Sequence, residues 1–314
     1  MPDLLTLREA WDRALYGGDG FFLREAPAQH FRTSATASPM FASAIAELAR
    51  RSNLEAVIDM GAGSGELLRH LAATAPQLRL HGVDVRSRPA ALPAQVGWSL
   101  EPPPRLSGLV IANELLDNVP CTVAEVGTDD VLRELVVTTW GDLVAGAPLT
   151  GADLDWVGRW WPDGLPGQRI EVGRARDEAW SAVVDRLQHG VALAVDYGHV
   201  RGDRPAHGSL RSYRAGRRVD LVLDGTADVT ADVALDSVAA AGRGRLLSQR
   251  SALHCLGVRV ERPAPVLATR DPSGYLRALS AAGAAGELVG TSGFGDFGWV
   301  VTPVSVADPF PADP

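Results

Sequence analysis

The sequence predicts an α/β protein built on a doubly wound, mostly parallel sheet that carries an inserted hairpin and cap segments. Three observations support this class. Short apolar stretches that read as strands alternate with stretches of helical spacing. The segment from Ala56 to Asp84 reads as strand, glycine-rich turn, helix and strand, which is typical of a parallel crossover. The alternating pattern from Cys121 to Trp140 predicts a β-hairpin set into this framework.

Residues 1–52 are predicted to form a helical and aromatic segment that packs on the core. Leu4 to Leu15 has helical spacing and ends at a glycine pair, which is a helix stop signal. A loop rich in phenylalanine follows. The pair Ser38-Pro39 then favours the start of a helix that runs from about Met40 to Arg51, because proline is preferred at the first helical position.

Residues 53–306 are predicted to form the main domain, with insertions at about 120–173 and 199–231. The first insertion holds the hairpin and then a loop or cap rich in tryptophan and glycine; the second is rich in arginine. The predicted strands are Ala56–Met60, Leu78–Asp84, a short one near Val96, Gly108–Ala112, Val191–Asp196 and two edge strands at about 244–248 and 297–303. The predicted helices are Glu66–Ala73, Ala175–Gln188, about 232–241 and about 272–282. The proline-rich tail, 307–314, is predicted to be disordered.

The composition argues against several functions. A net charge of -8 argues against a nucleic-acid partner, because phosphate binding needs a basic surface. The chain contains no lysine, which excludes a Schiff-base lysine and any phosphate-binding loop that needs one. Cys121 and Cys255 are predicted to fill apolar space, and the scattered histidines predict no metal site. No run of about 18 apolar residues and no signal peptide occur, so we expect a cytoplasmic protein without membrane insertion.

The glycine-rich turn after the first predicted strand suits a nucleoside ligand. Glycine lets the chain turn sharply and lets a ligand touch the backbone, and the next helix directs its positive end to the same edge of the sheet. Asp84 ends the following strand, where it can accept both hydroxyl groups of a ribose. Dinucleotide folds use G-x-G-x-x-G, whereas Gly61, Gly63 and Gly65 follow Asp59 at a shorter spacing. That spacing, with Asp59 facing a cationic amino-acid end, predicts S-adenosyl-L-methionine as the cofactor.

Three motifs make the chain resemble the MidA-like methyltransferases, whose mitochondrial members are assembly factors for respiratory complex I. They are an acidic-x-G-x-G-x-G turn at Asp59–Gly65, an N-E-x-x-D-x-x-P element at Asn113–Pro120 and a D-Y-G strand end at Asp196–Gly198. Weaker matches include the F-x-T-S loop at Phe31–Ser34 and the block Asp228–Val233. The matches follow the family order and span about residues 10–300, which makes the resemblance specific.

The resemblance implies a class I methyltransferase-like fold and transfer of a methyl group to an arginine side chain of a partner protein, as known for a complex I subunit. The cofactor site predicted on this basis comprises Thr33, Ser34, Asp59, Gly61, Ala62, Gly63, Gly65, Asp84, Val85 and Asn113. The chain departs from the family pattern, in ways that bear on the substrate rather than on the cofactor site, at Gln29, His30, Ala62, Ser64 and Asp232.

Methylation of arginine needs assistance, because a guanidinium group is protonated and its lone pairs are delocalised. Carboxylates can bind the guanidinium and receive its proton. Glu114 and Asp117 follow the fourth predicted strand, and Asp196 ends the next one, so these three are the predicted catalytic residues. Turn or capping roles are the alternatives for Asp117 and Asp196.

Other functions stay open at the level of sequence. They are methyl transfer to a small molecule or to another side chain, a non-catalytic assembly factor that binds S-adenosylmethionine for structure, and, less favoured by the glycine spacing, an NAD-dependent oxidoreductase. The sequence carries no signal for an oligomeric state.

Overall fold

The computed structural model describes residues 4–24, 33–34, 38–291 and 293–310. These residues fall into two compact units. The insertion unit consists of residues 4–24, Glu114–Asp185 and Asp196–Gly244. The sheet unit consists of the other described residues, which lie within Arg32–Asn113, Arg186–Val195 and Arg245–Pro314.

Strands and helices alternate along much of the chain. The strands among the described residues are β1 (Leu5–Thr6), β2 (Ala56–Met60), β3 (Arg79–Val83), β4 (Gly97–Ser99), β5 (Leu106–Asn113), β6 (Thr122–Val126), β7 (Leu132–Val137), β8 (Leu143–Pro148), β9 (Arg169–Val172), β10 (Leu187–Asp196), β11 (Gly198–His199), β12 (Arg211–Arg214), β13 (Arg217–Val219), β14 (Asp228–Thr230), β15 (Val233–Ala234), β16 (Arg245–Ser248) and β17 (Gly298–Val304). The α-helices in the same ranges are α1 (Leu7–Tyr16), α2 (Phe21–Arg24), α3 (Pro39–Arg51), α4 (Glu66–Thr74), α5 (Gly151–Trp160), α6 (Arg174–Arg186), α7 (Leu235–Ala241), α8 (Gln249–Cys255), α9 (Pro265–Arg270) and α10 (Pro272–Val289). Two 3-10 turns span Leu116–Asn118 and Phe294–Asp296.

The sheet unit is built on a seven-stranded mixed sheet with the order β16-β17-β10-β5-β2-β3-β4. Strands β10, β5, β2, β3 and β4 run parallel, and β16 pairs with β17 antiparallel. Four consecutive apolar residues of β5, from Leu109 to Ala112, are buried, which is typical of a central parallel strand. The predicted parallel unit of β2, α4 and β3 is therefore confirmed.

The insertion unit contains smaller sheets. Strands β1, β7, β6 and β9 form one sheet in that order, and β8 also pairs with β7. Strands β6 and β7 form the predicted hairpin, whose register pairs Ala124 with Glu134. Within the arginine-rich insertion, β13, β12 and β14 form an antiparallel sheet. A sheet of β11 and β15 joins the D-Y-G strand end to the segment before α7.

Side-chain caps determine where two helices begin. Ser38 caps α3, with its Oγ accepting a hydrogen bond from the Met40 amide at 3.1 Å, so the predicted start is confirmed. Thr6 and Glu9 form a capping box at α1. The first predicted helix therefore starts later than Leu4, because Leu5 pairs with Val137 in a strand.

The structure differs from several expectations. The predicted loop or cap at 141–173 contains β8, α5 and β9, and Trp156 of α5 is buried with its indole donating to Asp177 at 2.7 Å. Strand β17, predicted at an edge, lies between β16 and β10. Cys255, predicted to be buried, is exposed because it is the last residue of α8.

The domain boundaries also differ from the predicted ones. Helix α3 lies in the sheet unit, so the predicted segment 1–52 is divided between the two units. The tail predicted to be disordered begins as packed structure, because Phe310 is only 2% exposed and its ring meets Trp299 edge-on at 6.1 Å between centroids. Residues 311–314 lie outside the described part of the chain.

Two facing glycines allow β10 and β5 to pair closely. Gly190 lies opposite Gly108, and a Cβ atom on Gly190 would lie 1.9 Å from the Gly108 carbonyl oxygen. Gly190 also has φ of 138°, a region that side chains disfavour. The same conformational cost arises at Gly202 (φ 97°), where no atom lies within 4 Å of such a Cβ among the described residues.

We expect Gly190→Ala to lower the free energy of unfolding by about 1–3 kcal/mol more than Gly202→Ala, because overpacking adds to the shared backbone cost. Urea denaturation of both variants measures the difference. Equal losses for the two variants would show that the strand contact at Gly190 is not tight.

Candidate functional site

The glycine-rich turn leaves β2 and enters α4 through three residues in the left-handed region. Gly61, Gly63 and Gly65 have φ of 70°, 60° and 76°. The turn is tied to the end of β3, because the amides of Gly61 and Ala62 donate to the Val83 carbonyl at 2.8 and 3.1 Å. Gly65 caps α4 without a side chain, so the first amides of that helix point past the turn with no side-chain cap. This geometry is the one that the sequence predicts for a ligand at the edge of the sheet.

Asp84 lies against the same turn. Its Oδ2 accepts a hydrogen bond from the Gly63 amide at 2.8 Å. Its Oδ1 accepts from the amide and the Nε of Arg86, at 3.0 and 3.2 Å. A carboxylate oxygen accepts about two hydrogen bonds, so Oδ1 is saturated and Oδ2 retains one acceptor site. Both ribose hydroxyls can be bound at once, as the sequence predicts, only if the Arg86 side chain gives up its bond.

Asp59 is a buried carboxylate beside this turn. It is the residue before Met60, the last residue of β2, and is 4% exposed. Burial, with the negative charges of Asp84 and Glu66, raises the pKa of Asp59 to about 8. A cation placed next to Asp59 would offset both the energetic cost of burying the ionised carboxylate and its repulsion by Asp84 and Glu66.

These residues fit S-adenosyl-L-methionine. The ligand carries an ammonium group and a sulfonium that suit Asp59, and a carboxylate that suits the uncapped amides of α4. Its ribose suits Asp84, which the turn holds at the end of β3. The positive φ of 76° favours glycine at position 65, and a Cβ there would also approach Leu92 Cδ1 to 2.7 Å.

The other predicted cofactor residues lie at different distances from the turn. Asn113 ends β5 one residue after Ala112, which pairs with Met60, so it is close to the turn in the sheet. Val85 follows Asp84 and is exposed. Thr33 is half-buried. Ser34 is buried, and its Oγ lies 3.3 Å from Oε1 of Gln249, the first residue of α8. Phe31 and Arg32 of the same motif lie outside the described residues.

The three predicted catalytic carboxylates lie together in the insertion unit. Asp196, the last residue of β10, is buried and accepts from the amides of Leu116 and Asp117 at 3.0 and 3.2 Å through Oδ2. Its Oδ1 accepts from the Tyr197 amide at 3.0 Å. Burial, followed by the charges of Asp117 and Glu114, raises the pKa of Asp196 well above its usual value. Asp196 thus holds the turn that carries the other two carboxylates.

Asp117 is held on one side only. It is 5% exposed, and its Oδ2 accepts from the Thr230 hydroxyl at 2.6 Å and from the Tyr197 hydroxyl. Its Oδ1 is buried and has no hydrogen-bond partner among the residues that the structure describes. Burial raises the pKa of Asp117, while the two hydroxyls and the charges of Arg176 and Arg211 oppose the rise.

Glu114 occupies a strained position between β5 and the 3-10 turn. Its φ is 51°, in the left-handed region that residues with side chains rarely adopt. Such strain persists where the surroundings impose it, and it is common at functional sites.

Arg176 is a functional residue that the sequence did not reveal. It is 1% exposed, and its Nε, Nη1 and Nη2 donate to the carbonyls of Val119, Asp232 and Asp117 at 3.1, 2.8 and 3.0 Å. The guanidinium therefore holds the turn after β5 through two of its carbonyls, while Asp196 holds the turn through two of its amides. Arginines at helical spacing are common on surfaces, so nothing in the sequence separates this one from the rest.

Thr230 also contributes to the site, through a hydroxyl group that the sequence did not single out. It belongs to the family-like block at Asp228–Val233, which was the available signal. In the same block Asp228 accepts from Asn118 Nδ2 at 2.8 Å. Asp232, where the family has histidine, forms an ion pair of 2.7 Å with Arg211. The guanidinium of Arg211 also lies 5.0 Å from the Tyr197 ring centroid.

Among the described residues, no group of three or more His, Cys, Asp or Glu is placed to hold a metal ion. Over the same residues, no helix has the length and apolar character that crossing a membrane requires.

Residues 40–251 match the family model described as "Putative S-adenosyl-L-methionine-dependent methyltransferase". No curated protein matches the chain. Two crystal structures from Burkholderia thailandensis resemble it. One, a COG1565 superfamily member and "likely methyl transferase" bound to S-adenosyl-homocysteine, is 25% identical with a TM-score of 0.80, over 97% of this chain and 89% of that one. The other, a native COG1565 superfamily protein, shares the fold at 24% identity and a TM-score of 0.77, over 97% and 88%.

The match thus spans the glycine turn, the carboxylate cluster and most of the sheet, and the ligand of one similar structure is the product form of the predicted cofactor. The expected cofactor, S-adenosyl-L-methionine, is confirmed. The chain belongs to the MidA-like family of S-adenosyl-L-methionine-dependent methyltransferases, as its motifs predict.

Proposed function

We propose that the chain transfers a methyl group from S-adenosylmethionine to an arginine side chain of a partner protein. The observation that carries this proposal is the buried Oδ1 of Asp117, which has no hydrogen-bond partner within the described part of the chain. A buried carboxylate oxygen left without a donor is costly, so such an atom is expected where a ligand supplies the hydrogen. The guanidinium group offers several N–H donors in a planar array that suits carboxylates.

The donor, when bound, supplies a methyl group from its sulfonium, so that a C–N bond forms as the C–S bond breaks and the electron pair stays on sulfur. The acceptor nitrogen must lose a proton in that exchange. We assign the proton to Oδ1 of Asp117 and the second hold on the guanidinium to Glu114. Asp196 is predicted to be catalytic, with capping as the alternative. We assign it the capping role, because backbone amides engage both of its oxygens and it holds the turn.

A protein is the proposed acceptor because the insertion unit exposes apolar surface. Trp140, in the turn between β7 and β8, is 89% exposed. A cleft of about 570 Å³ is lined in part by Leu4, Leu5 and Thr139, and Thr139 directly precedes Trp140 in the sequence. Exposed apolar patches of this kind commonly mark protein interfaces. The family resemblance suggests a respiratory complex I subunit as the partner.

The same proposal includes two finer points from the sequence. We infer that helices cover both faces of the seven-stranded sheet in the doubly wound manner, which supports a ligand at the carboxyl ends of the parallel strands. We also infer a cytoplasmic location, which the composition supports.

The first test concerns the ribose. We expect Asp84→Asn to weaken binding of S-adenosylhomocysteine about tenfold, because hydrogen bonds to a charged acceptor are stronger than those to a neutral one. Titration calorimetry measures the dissociation constant. Asp129→Asn is the control, since Asp129 is also ion-paired with a nearby arginine but lies in the hairpin turn. An affinity unchanged in Asp84→Asn would remove Asp84 from the cofactor site.

The second test concerns pH. Asp59 is protonated below its raised pKa of about 8, and a bound cation favours the ionised form, so binding of S-adenosylmethionine should release this proton at pH 7. The dissociation constant should therefore fall as pH rises from 6 toward 8. Calorimetry in buffers of different ionisation enthalpy counts the protons released. Asp59→Asn should release fewer, and the same count in both proteins would contradict the assignment.

The third test concerns catalysis. We expect Asp117→Asn to lower methyl transfer about 10²–10⁴-fold and to leave S-adenosylhomocysteine affinity unchanged, because it removes a proton acceptor. The assay follows labelled methyl groups into lysate proteins and identifies methylarginine after hydrolysis. Glu114→Gln should lower the rate as well. Asp177→Asn is the control, because Asp177 is buried but both its oxygens accept hydrogen bonds, from Trp156 and Ser237.

The outcomes separate the competing functions. Methylarginine formed at the wild-type rate by Asp117→Asn would exclude Asp117 from the mechanism. Labelled products without methylarginine would favour another acceptor. Tight binding of the cofactor with no transfer to any protein would favour the assembly-factor alternative.

A further inference from the structure

Three separate segments meet at one carboxylate oxygen. Asp117 comes from the turn after β5, Tyr197 follows β10, and Thr230 ends β14. The hydroxyl groups of Tyr197 and Thr230 both contact Asp117 Oδ2, and they also contact each other. No such donor reaches Oδ1 from any described residue. The carboxylate is thus anchored through one oxygen and left open at the other.

The count of hydrogens explains why this arrangement is one-sided. Each hydroxyl carries one hydrogen, so three mutually close oxygens share two hydrogens. Both hydroxyls can donate to Oδ2, or either hydroxyl can donate to the other, which then donates to Oδ2. In each arrangement the two hydrogens go to Oδ2 or to the other hydroxyl, and the Thr230 hydroxyl also lies 3.5 Å from the Asp117 carbonyl oxygen. Rotation of the carboxyl group would break these bonds, so the pair fixes its orientation.

The pair also stabilises the ionised form of Asp117. Hydrogen bonds donated to a carboxylate lower its pKa and oppose the rise caused by burial. The charged or titratable groups that interact with this carboxylate from the surrounding elements are Arg176, Asp196, Tyr197, Arg211 and Asp228, and Glu114 interacts with Asp196. Neither hydroxyl is needed for the fold of the turn, because Asp196 and Arg176 hold its backbone.

We propose that Tyr197 and Thr230 are positioning residues that anchor Oδ2 of Asp117 and thereby direct Oδ1 to the nitrogen of the methyl acceptor. This inference rests on the proposed function. In the transfer, the acceptor N–H bond breaks and an O–H bond forms at Oδ1, while both hydroxyls remain donors. Neither hydroxyl touches the reacting atoms.

The test compares Tyr197→Phe and Thr230→Val with Tyr213→Phe. Tyr213 is the matched control, because its hydroxyl accepts a hydrogen bond from Arg211 Nε at 3.1 Å. Loss of one donor should move the acid limb of the pH–rate profile upward by about one to two units, since a hydrogen bond to a charged group is worth that much. On the acid limb, the rate at a given pH should fall about tenfold or more and recover at higher pH.

A second measurement does not depend on methyl transfer. Carbon-detected NMR of aspartate-labelled protein follows the titration of the Asp117 carboxyl group, which Asp117→Asn identifies by the loss of its signal. We expect the midpoint to rise by about one to two units in Tyr197→Phe and to stay in place in Tyr213→Phe. S-adenosylhomocysteine affinity should be equal in all variants, which checks that they are folded.

The two proposals fail in different ways. A wild-type protein that forms no methylarginine overturns the proposed function. An active wild type in which the Asp117 midpoint is the same with and without the Tyr197 hydroxyl overturns the positioning role. An equal shift in Tyr213→Phe overturns it too, because the effect would then belong to any nearby hydroxyl.

Discussion

The turn after β5 depends on two buried charges that bind its backbone rather than each other. Asp196 receives two of its amide hydrogens, and Arg176 donates to its carbonyls. Without these bonds the polar backbone of residues 116–119 would be buried at a cost, because water could not replace them. The turn carries Asp117 and directly follows Glu114, which lies in the left-handed region. The proposed chemistry of the insertion unit therefore rests on side chains that do not take part in it.

The two units differ in how far positive charges and hydroxyl groups compensate their acidic residues. In the sheet unit, Asp59, Glu66 and Asp84 repel one another, and the only cation described on them is Arg86 on Asp84. That local excess of negative charge suits a cationic ligand. In the insertion unit, Arg176 and Arg211 offset part of the acidic cluster, and hydroxyl groups offset more. Asp117 can therefore remain buried while it is available to accept a proton.

Sequence reasoning succeeded where the chemistry is local. The glycine turn, Asp59 and Asp84 lie within one strand–helix–strand unit, so spacing alone places them. It failed where distant segments converge: Asp117 and Thr230 are 113 positions apart, and no periodicity reports such a contact. The sequence at 141–173 predicts a loop or cap because exposed β8 lacks an alternating pattern. Phe310 shows that one buried ring can order a chain end that composition alone assigns to disorder.

Under the proposed function, the enzyme must also spare its own arginines. Arg176 is the guanidinium most deeply enclosed near Asp117, and each of its three nitrogens already donates to a main-chain carbonyl. Methylation there would require breaking such a bond inside a sealed interior. The hydrogen bonds that let Arg176 hold the turn thus also protect it from methylation by the enzyme itself.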